Sequence, residues 1–275
     1  MSKADLIFMD NCKRILTEGV WDSDLPVRPR WADGIPAHTV KLFGLVNRYD
    51  LRQEFPILTI RRTYLQSAVD ELLWIWQKKS NDVHQLRSRI WDQWADEQGS
   101  IGKAYGYQLG VKHQYQEGMF DQVDRILYDL KHNPASRRII SNIYVHQDLH
   151  AMALYPCAYS MTFNVSGNRL NAILNQRSQD MLVANNWNVT QYAVLVHLFA
   201  MVSGLEAGEL VHVIADAHIY DRHIPIVEEL LTRAPYDAPG LLIEPRQDFY
   251  AFVPQDVRLT NYQYHSLDSK IPVAE

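Results

Sequence analysis

Cysteine is nearly absent from this chain: Cys12 and Cys157 are the only two among 275 residues. Two thiols cannot build a disulfide framework, which fits a reducing compartment. Long apolar runs are missing too. No stretch approaches the roughly 18 to 20 residues needed to span a bilayer. Met1-Ser2-Lys3-Ala4-Asp5 lacks the charged-then-apolar pattern of an export signal, so a cytoplasmic protein with no membrane partner is expected. Positive charge is not in excess. The formal net charge of −5 argues against nucleic-acid binding through a broad basic surface. Internal repeats, low-complexity tracts and linkers are also lacking, so residues 1–275 are expected to form one domain.

What is present is an ordinary globular composition, 47% hydrophobic and 21% charged. Apolar periodicity predicts helices over residues 4–19, 62–78, 121–132, 189–204 and 224–233. Within the second of these, Glu71 falls among apolar residues and is expected to be partly buried. Alternation predicts strands over 40–49, 138–144, 159–165, 170–176 and 210–214, with a turn at Ser166-Gly167-Asn168. Residues 28–37 read as a loop and 79–116 as mixed structure punctuated by glycines. Helices and strands do not alternate strictly, which favours an α+β fold with one large mixed sheet and flanking helices over a doubly wound fold.

Four features carry chemical meaning. Arginine recurs in pairs and near-pairs, as Arg28 with Arg30, Arg61-Arg62, Arg87 with Arg89 and Arg137-Arg138. Such clusters on an acidic protein suit a small polyanion such as a phosphate monoester, although surface ion pairing is the better account of any one pair alone. His146 and His150 are four apart, and His212, His218 and His223 lie near Asp216, but no spacing supplies a full metal-ligand set. Trp91 and Trp94 could line a cleft for an aromatic ligand or belong to the core. Cys157 follows Pro156, with Gln176-Arg177-Ser178-Gln179-Asp180 some twenty residues on. A thiol acts covalently as thiolate, which a nearby guanidinium favours.

Read together, these pieces resemble the thymidylate synthase family over nearly the whole chain. The matching segments are Arg48-Tyr49-Asp50-Leu51, Phe55-Pro56-Ile57-Leu58-Thr59, Glu71-Leu72-Leu73-Trp74, and Ile90-Trp91-Asp92-Gln93-Trp94-Ala95-Asp96-Glu97. They continue with Asn133-Pro134-Ala135-Ser136-Arg137-Arg138, Met152 through Cys157, Gln176 through Asp180, Asn188, and Asp216-Ala217-His218-Ile219-Tyr220.

The resemblance implies a homodimer with sheets packed back to back. It also implies conversion of dUMP and 5,10-methylenetetrahydrofolate to dTMP and dihydrofolate, with no metal or flavin. Cys157 would add to C6 of the pyrimidine, with Glu71, Tyr105, Asn188 and Asp216 as further catalytic residues. Arg28 (or Arg30), Arg177 and Ser178 would bind the phosphate, joined by Arg137 and Arg138 from the partner subunit. Asn188 would read the uracil edge, His218 and Tyr220 would hold the ribose, and Asp180 would border both substrate and pterin. Tyr64, Trp91, Trp94 and Ala274 would contact folate, Ala274 on a tail that closes over the site.

Four departures stand out. The family's usual Leu-Gly-x-Pro-Phe-Asn is here Val183-Ala184-Asn185-Asn186-Trp187-Asn188, so the turn before Asn188 is rebuilt. The histidine that usually follows the nucleophile is Ala158, which removes a member of the base-side hydrogen-bond network. Ala215 replaces a glycine before Asp216, and Arg28-Pro29-Arg30-Trp31 replaces a glycine-rich phosphate loop. Alternatives are a dUMP hydroxymethylase of the same fold and a catalytically silent nucleotide-binding dimer. Asn188 argues against a cytosine substrate, and Trp91 with the Pro272-Val273-Ala274 tail argues for the synthase.

Overall fold

The computed structural model describes residues 1–274. The chain opens with helix α1 (Lys3–Glu18), whose Ser2 cap accepts a hydrogen bond from the Asp5 amide. Strand β1 (Val20–Trp21) and the long β2 (Thr39–Asp50) follow, then α2 (Leu65–Trp76) and a short α3 (Gly106–Gly110). A small hairpin, β3 (His113–Tyr115) and β4 (Gly118–Phe120), leads to α4 (Gln122–His132). Next come β5 (Ile140–Asn142), β6 (Ala158–Ser166), β7 (Arg169–Asp180), α5 (Asn185–Val202) and β8 (Glu206–Tyr220). Helix α6 (Ile224–Leu231) and a second hairpin, β9 (Gly240–Ile243) with β10 (Val257–Thr260), complete the fold.

Six strands form one sheet in the order β1-β2-β8-β7-β6-β5. All neighbours are antiparallel except β7 and β8, which run parallel and therefore need a crossover. Helix α5 is that crossover, and it is apolar around most of its circumference because sheet and α2 cover it from different sides. One core gathers α2, α5 and the inner faces of β6, β7 and β8; a second gathers α1, α6 and the far ends of β2 and β8. The opposite sheet face is open, with Phe43, Val46 and Ile173 exposed.

The mixed sheet and flanking helices are those expected for an α+β chain. Several boundaries differ, among them the end of β7, which runs to Asp180 rather than 176, and one hairpin is new. Strand β8 runs over 206–220 rather than 210–214, held by hydrogen bonds to β2 on one side and β7 on the other. Helix α5 starts at Asn185 rather than Val189, so the rebuilt segment before Asn188 is the helix's first turn. The β9–β10 hairpin, whose strands are short and separated by thirteen residues of irregular chain, was not expected from the pattern.

Candidate active site

Cys157 sits at the lip of the sheet, one residue before β6, half-buried. Arg177 on β7 wraps its loop: Nε donates to the Pro156 carbonyl at 3.0 Å and Nη2 to the Tyr155 carbonyl at 2.8 Å. The same Nη2 lies 3.7 Å from Cys157 Sγ. The guanidinium is thereby fixed beside the sulfur. Burial nevertheless pushes the thiol above its ordinary range, outweighing the opposing pull of Arg177, Tyr105 and Arg28. Arg177 thus opposes the effect of burial on this thiol without outweighing it.

Tyr105 approaches from another direction, its hydroxyl accepting a hydrogen bond from the Cys157 amide at 3.2 Å. Its backbone has φ +46°, a conformation that costs a tyrosine free energy and is held by the surrounding structure. The ring packs edge-on against Trp91 at 4.9 Å between centroids, and Trp91 in turn meets Trp74 and Trp94. Burial keeps the phenol protonated, well above its usual range.

Glu71 is buried on α2, and its carboxyl is pushed up to about 7, chiefly by desolvation. The side chains of Gln191, Trp187 and Trp91 oppose that rise. The Trp187 indole N–H donates to Oε2 at 3.0 Å.

Asn188, one residue beyond Trp187, has its amide oriented by neighbours. Its Oδ1 accepts from Gln176 Nε2 at 3.3 Å and Gln179 Nε2 at 3.4 Å, while Nδ2 donates to Gln191 Oε1 at 3.4 Å. Gln176 is fixed in turn by His212 Nε2, which meets its Oε1 at 2.5 Å. His212 is fully buried and its imidazolium is disfavoured, down to about 3, so the ring is neutral and its Nε2–H donates.

The remaining candidates lie around this centre. Asp216 accepts from His218 Nδ1 at 2.8 Å and lies 3.4 Å from Lys41 Nζ; burial would raise its carboxyl, but the hydrogen bond from His218 and the nearby Lys41 hold it below the usual range. Ser178 pairs in register with Asp216 across the parallel β7–β8 ladder. Tyr220 packs edge-on against His218, Trp31 and His223. Arg28 is exposed but near enough to act on both Cys157 and Tyr220, whereas Arg30 spends a guanidinium N–H on the Gly34 carbonyl at 3.0 Å. Asp180 accepts from the Leu182 and Val183 amides, and His223 Nδ1 lies 3.6 Å from it.

His223 Nε2 donates to the Pro272 carbonyl at 2.7 Å, tying the tail that carries half-buried Ala274. Tyr64 is exposed under the Arg62 guanidinium and lines a cavity of about 380 Å³ with Ser67, Arg258 and Tyr262. Arg137 and Arg138 are exposed, and among the described residues neither makes an ion pair.

Of the four departures, Ala215 is harmless: it is exposed and has no positive φ, so its Cβ meets no strain. In the rebuilt turn, Asn186 Oδ1 accepts from the Leu58 amide and the Thr63 hydroxyl, and Nδ2 donates to the Pro56 carbonyl. The sequence did not single out Gln191, Gln179, Gln176 or His212 as supports of Asn188. Among residues 1–274, no three metal-ligating side chains converge as they would to hold an ion, and no helix is long and apolar enough to cross a membrane.

The chain as a whole is similar to known proteins in sequence and in fold. The family model described as thymidylate synthase matches residues 6–274. The thymidylate synthase of Bacillus phage phi3T is 43% identical over 270 residues, covering 96% of each chain. Thymidylate synthase 1 of Bacillus subtilis strain 168 is 42% identical over the same shares. The solved structure of the thermostable thymidylate synthase A from Bacillus subtilis superposes with a TM-score of 0.94 at 41% identity, covering 98% of this chain and 99% of that one. With sequence and fold in agreement over almost its full length, this chain belongs to the thymidylate synthase family.

Proposed function

We propose that the chain catalyses reductive methylation of dUMP to dTMP, with 5,10-methylenetetrahydrofolate giving both carbon and hydride and leaving as dihydrofolate. The observation that carries this reading is the meeting of Cys157, Arg177 and Tyr105 in a chain of this family. A pyrimidine C5 is a poor nucleophile. Addition of Cys157 to C6 makes C5 enolate-like and able to attack the folate methylene. Burial raises the thiol, so as the C–S bond forms its proton passes to solvent water, with Arg177 beside the sulfur favouring the charge that develops there.

Asn188 reads the base. Its second Nδ2 hydrogen suits a pyrimidine carbonyl, and its long contacts to Gln176 and Gln179 let Oδ1 turn to the N3–H of uracil. Glu71, titrating near neutrality, is suited to take and return a proton through water at pH 7, with Tyr105 near the C5 proton. Arg28, Arg177 and Ser178 hold the phosphate, and His218 and Tyr220, the former braced by Asp216, hold the ribose. Trp91, Trp94, Tyr64 and Asp180 border the folate, and the tail bearing Ala274 closes over it. Such closure excludes water from a reactive intermediate.

The working unit is a homodimer formed through the open sheet face. Exposed Phe43, Val46 and Ile173 would be covered there, and Arg137 and Arg138 would reach the partner's phosphate. One catalytic domain spans residues 1–275 in this reading. Its test is incubation with dUMP and methylenetetrahydrofolate, with the nucleotide product identified. Formation of dTMP with dihydrofolate is expected; hydroxymethyl-dUMP with tetrahydrofolate would overturn it.

A further inference from the structure

We propose that Trp187 and Gln191, one turn apart on α5, are positioning residues that hold the Glu71 carboxyl and link it to the base-reading Asn188. The inference rests on the proton-moving role assigned to Glu71 above. Residues four apart on a helix share a face, and here that face looks onto α2, which carries Glu71. The Trp187 indole N–H donates to Glu71 Oε2 at 3.0 Å across 116 residues of chain. Gln191 uses both ends of its amide: Nε2 donates to the Ala68 carbonyl on α2 at 3.1 Å, and Oε1 accepts from Asn188 Nδ2 at 3.4 Å. It also faces the Glu71 carboxyl. Acid, glutamine and base reader therefore form one connected set.

Two positions near this arrangement depart from the pattern that the family resemblance implies. The family's usual residue at position 187 is phenylalanine, which has no donor, and its usual histidine after the nucleophile is here Ala158. The site has lost a polar group on one side and gained an indole N–H on the other. The indole is also not free to swing. Asn186, its neighbour in the first turn of α5, is bonded to Leu58, Thr63 and Pro56. This turn has no side-chain cap of its own, so those bonds are what fix its direction.

An N–H aimed at a carboxylate favours the ionised form, and losing it leaves burial less opposed. The other titratable groups facing Glu71 are Asp70 beside it on α2, Tyr105 before α3 and Tyr192 on α5. None of them is altered by removing an indole nitrogen.

The test compares Trp187→Phe with Glu71→Gln in the full-length protein, measuring kcat, KM and dUMP binding from pH 5.5 to 9. Glu71→Gln should abolish most turnover and the ionisation belonging to Glu71. Trp187→Phe should bind dUMP as wild type does, lose about tenfold in kcat at pH 7, and move that ionisation upward by about one pH unit. A kcat profile whose ionisation stays in place overturns the proposal, whatever happens to kcat itself. Should Trp187→Phe fail to fold, Gln191→Met tests the same set, with an upward movement expected and an unmoved profile again overturning it. Full activity in Glu71→Gln would instead defeat the assignment of Glu71, a separable outcome.

Discussion

Glu71 stores free energy that a single isosteric substitution should release. Its carboxyl is buried and titrates near 7 in the folded protein, against an ordinary value of 4.5. At about 1.4 kcal/mol per pH unit, that displacement is worth roughly 3 kcal/mol. The sign follows from proton binding. The folded state holds the proton more tightly, so this group's contribution is fully present below pH 4.5 and is lost as pH rises to about 7. Glu71→Gln removes the titration while keeping the shape. The variant's stability relative to wild type should therefore grow between pH 4.5 and 7 by up to ~3 kcal/mol and level off above that. Urea unfolding at fixed protein concentration, at pH 5, 6, 7 and 8.5, measures the difference. A difference that stays constant across the range would refute the claim that burial of this carboxyl outweighs its hydrogen bonds. Activity should fall in the same variant, since the strain is retained for proton movement.

Cys157→Ser should lose most turnover while still binding dUMP, and unchanged turnover would remove the nucleophile. In the free enzyme, alkylation of Cys157 by iodoacetamide should titrate above the ordinary thiol value of 9.0, because burial outweighs the arginines; titration below it would contradict that balance. Arg28→Ala should raise KM for dUMP about 10- to 100-fold, as loss of a charge-assisted phosphate contact does. Arg30→Ala should change KM little, because its guanidinium is spent on Gly34; the reverse order would exchange their roles. Asn188→Asp should shift preference toward dCMP, measured as the ratio of kcat/KM values. No shift would mean the base is read by other groups.

Most of the centre was legible because its residues come in short motifs whose spacing survives in one sequence. Cys157 after Pro156, Arg177 before Ser178 and Glu71 before Leu72-Leu73-Trp74 are each local patterns, and the fold brings the three elements together. Strand ends were harder. Glu206 through Glu209 and Asp216 through His218 are too polar to look like strand, yet β7 pairs with Glu206 and Ala207, β2 with Glu209, and both with 216–218. Tertiary pairing, not propensity, decides such residues. Likewise Asn185-Asn186 reads as a turn, and becomes helix because Asn186 is bonded to residues 56–63, more than a hundred positions away. The sequence holds no periodic trace of such a contact.

The same limit explains why the 183–188 segment looked like damage. Judged against the family's usual turn, it loses a glycine and a proline and puts an indole where a phenyl is normal. Helix geometry inverts that reading. Starting α5 at Asn185 places residue 187 one turn before Gln191, and both face α2. Only there does an indole nitrogen become more useful than a phenyl ring, because a buried carboxyl lies within hydrogen-bond reach of it. A substitution that appears to weaken the base pocket therefore strengthens the hold on its proton carrier. Refitting phenylalanine at 187 alone should consequently impair this protein, since the remaining turn was built around the donor.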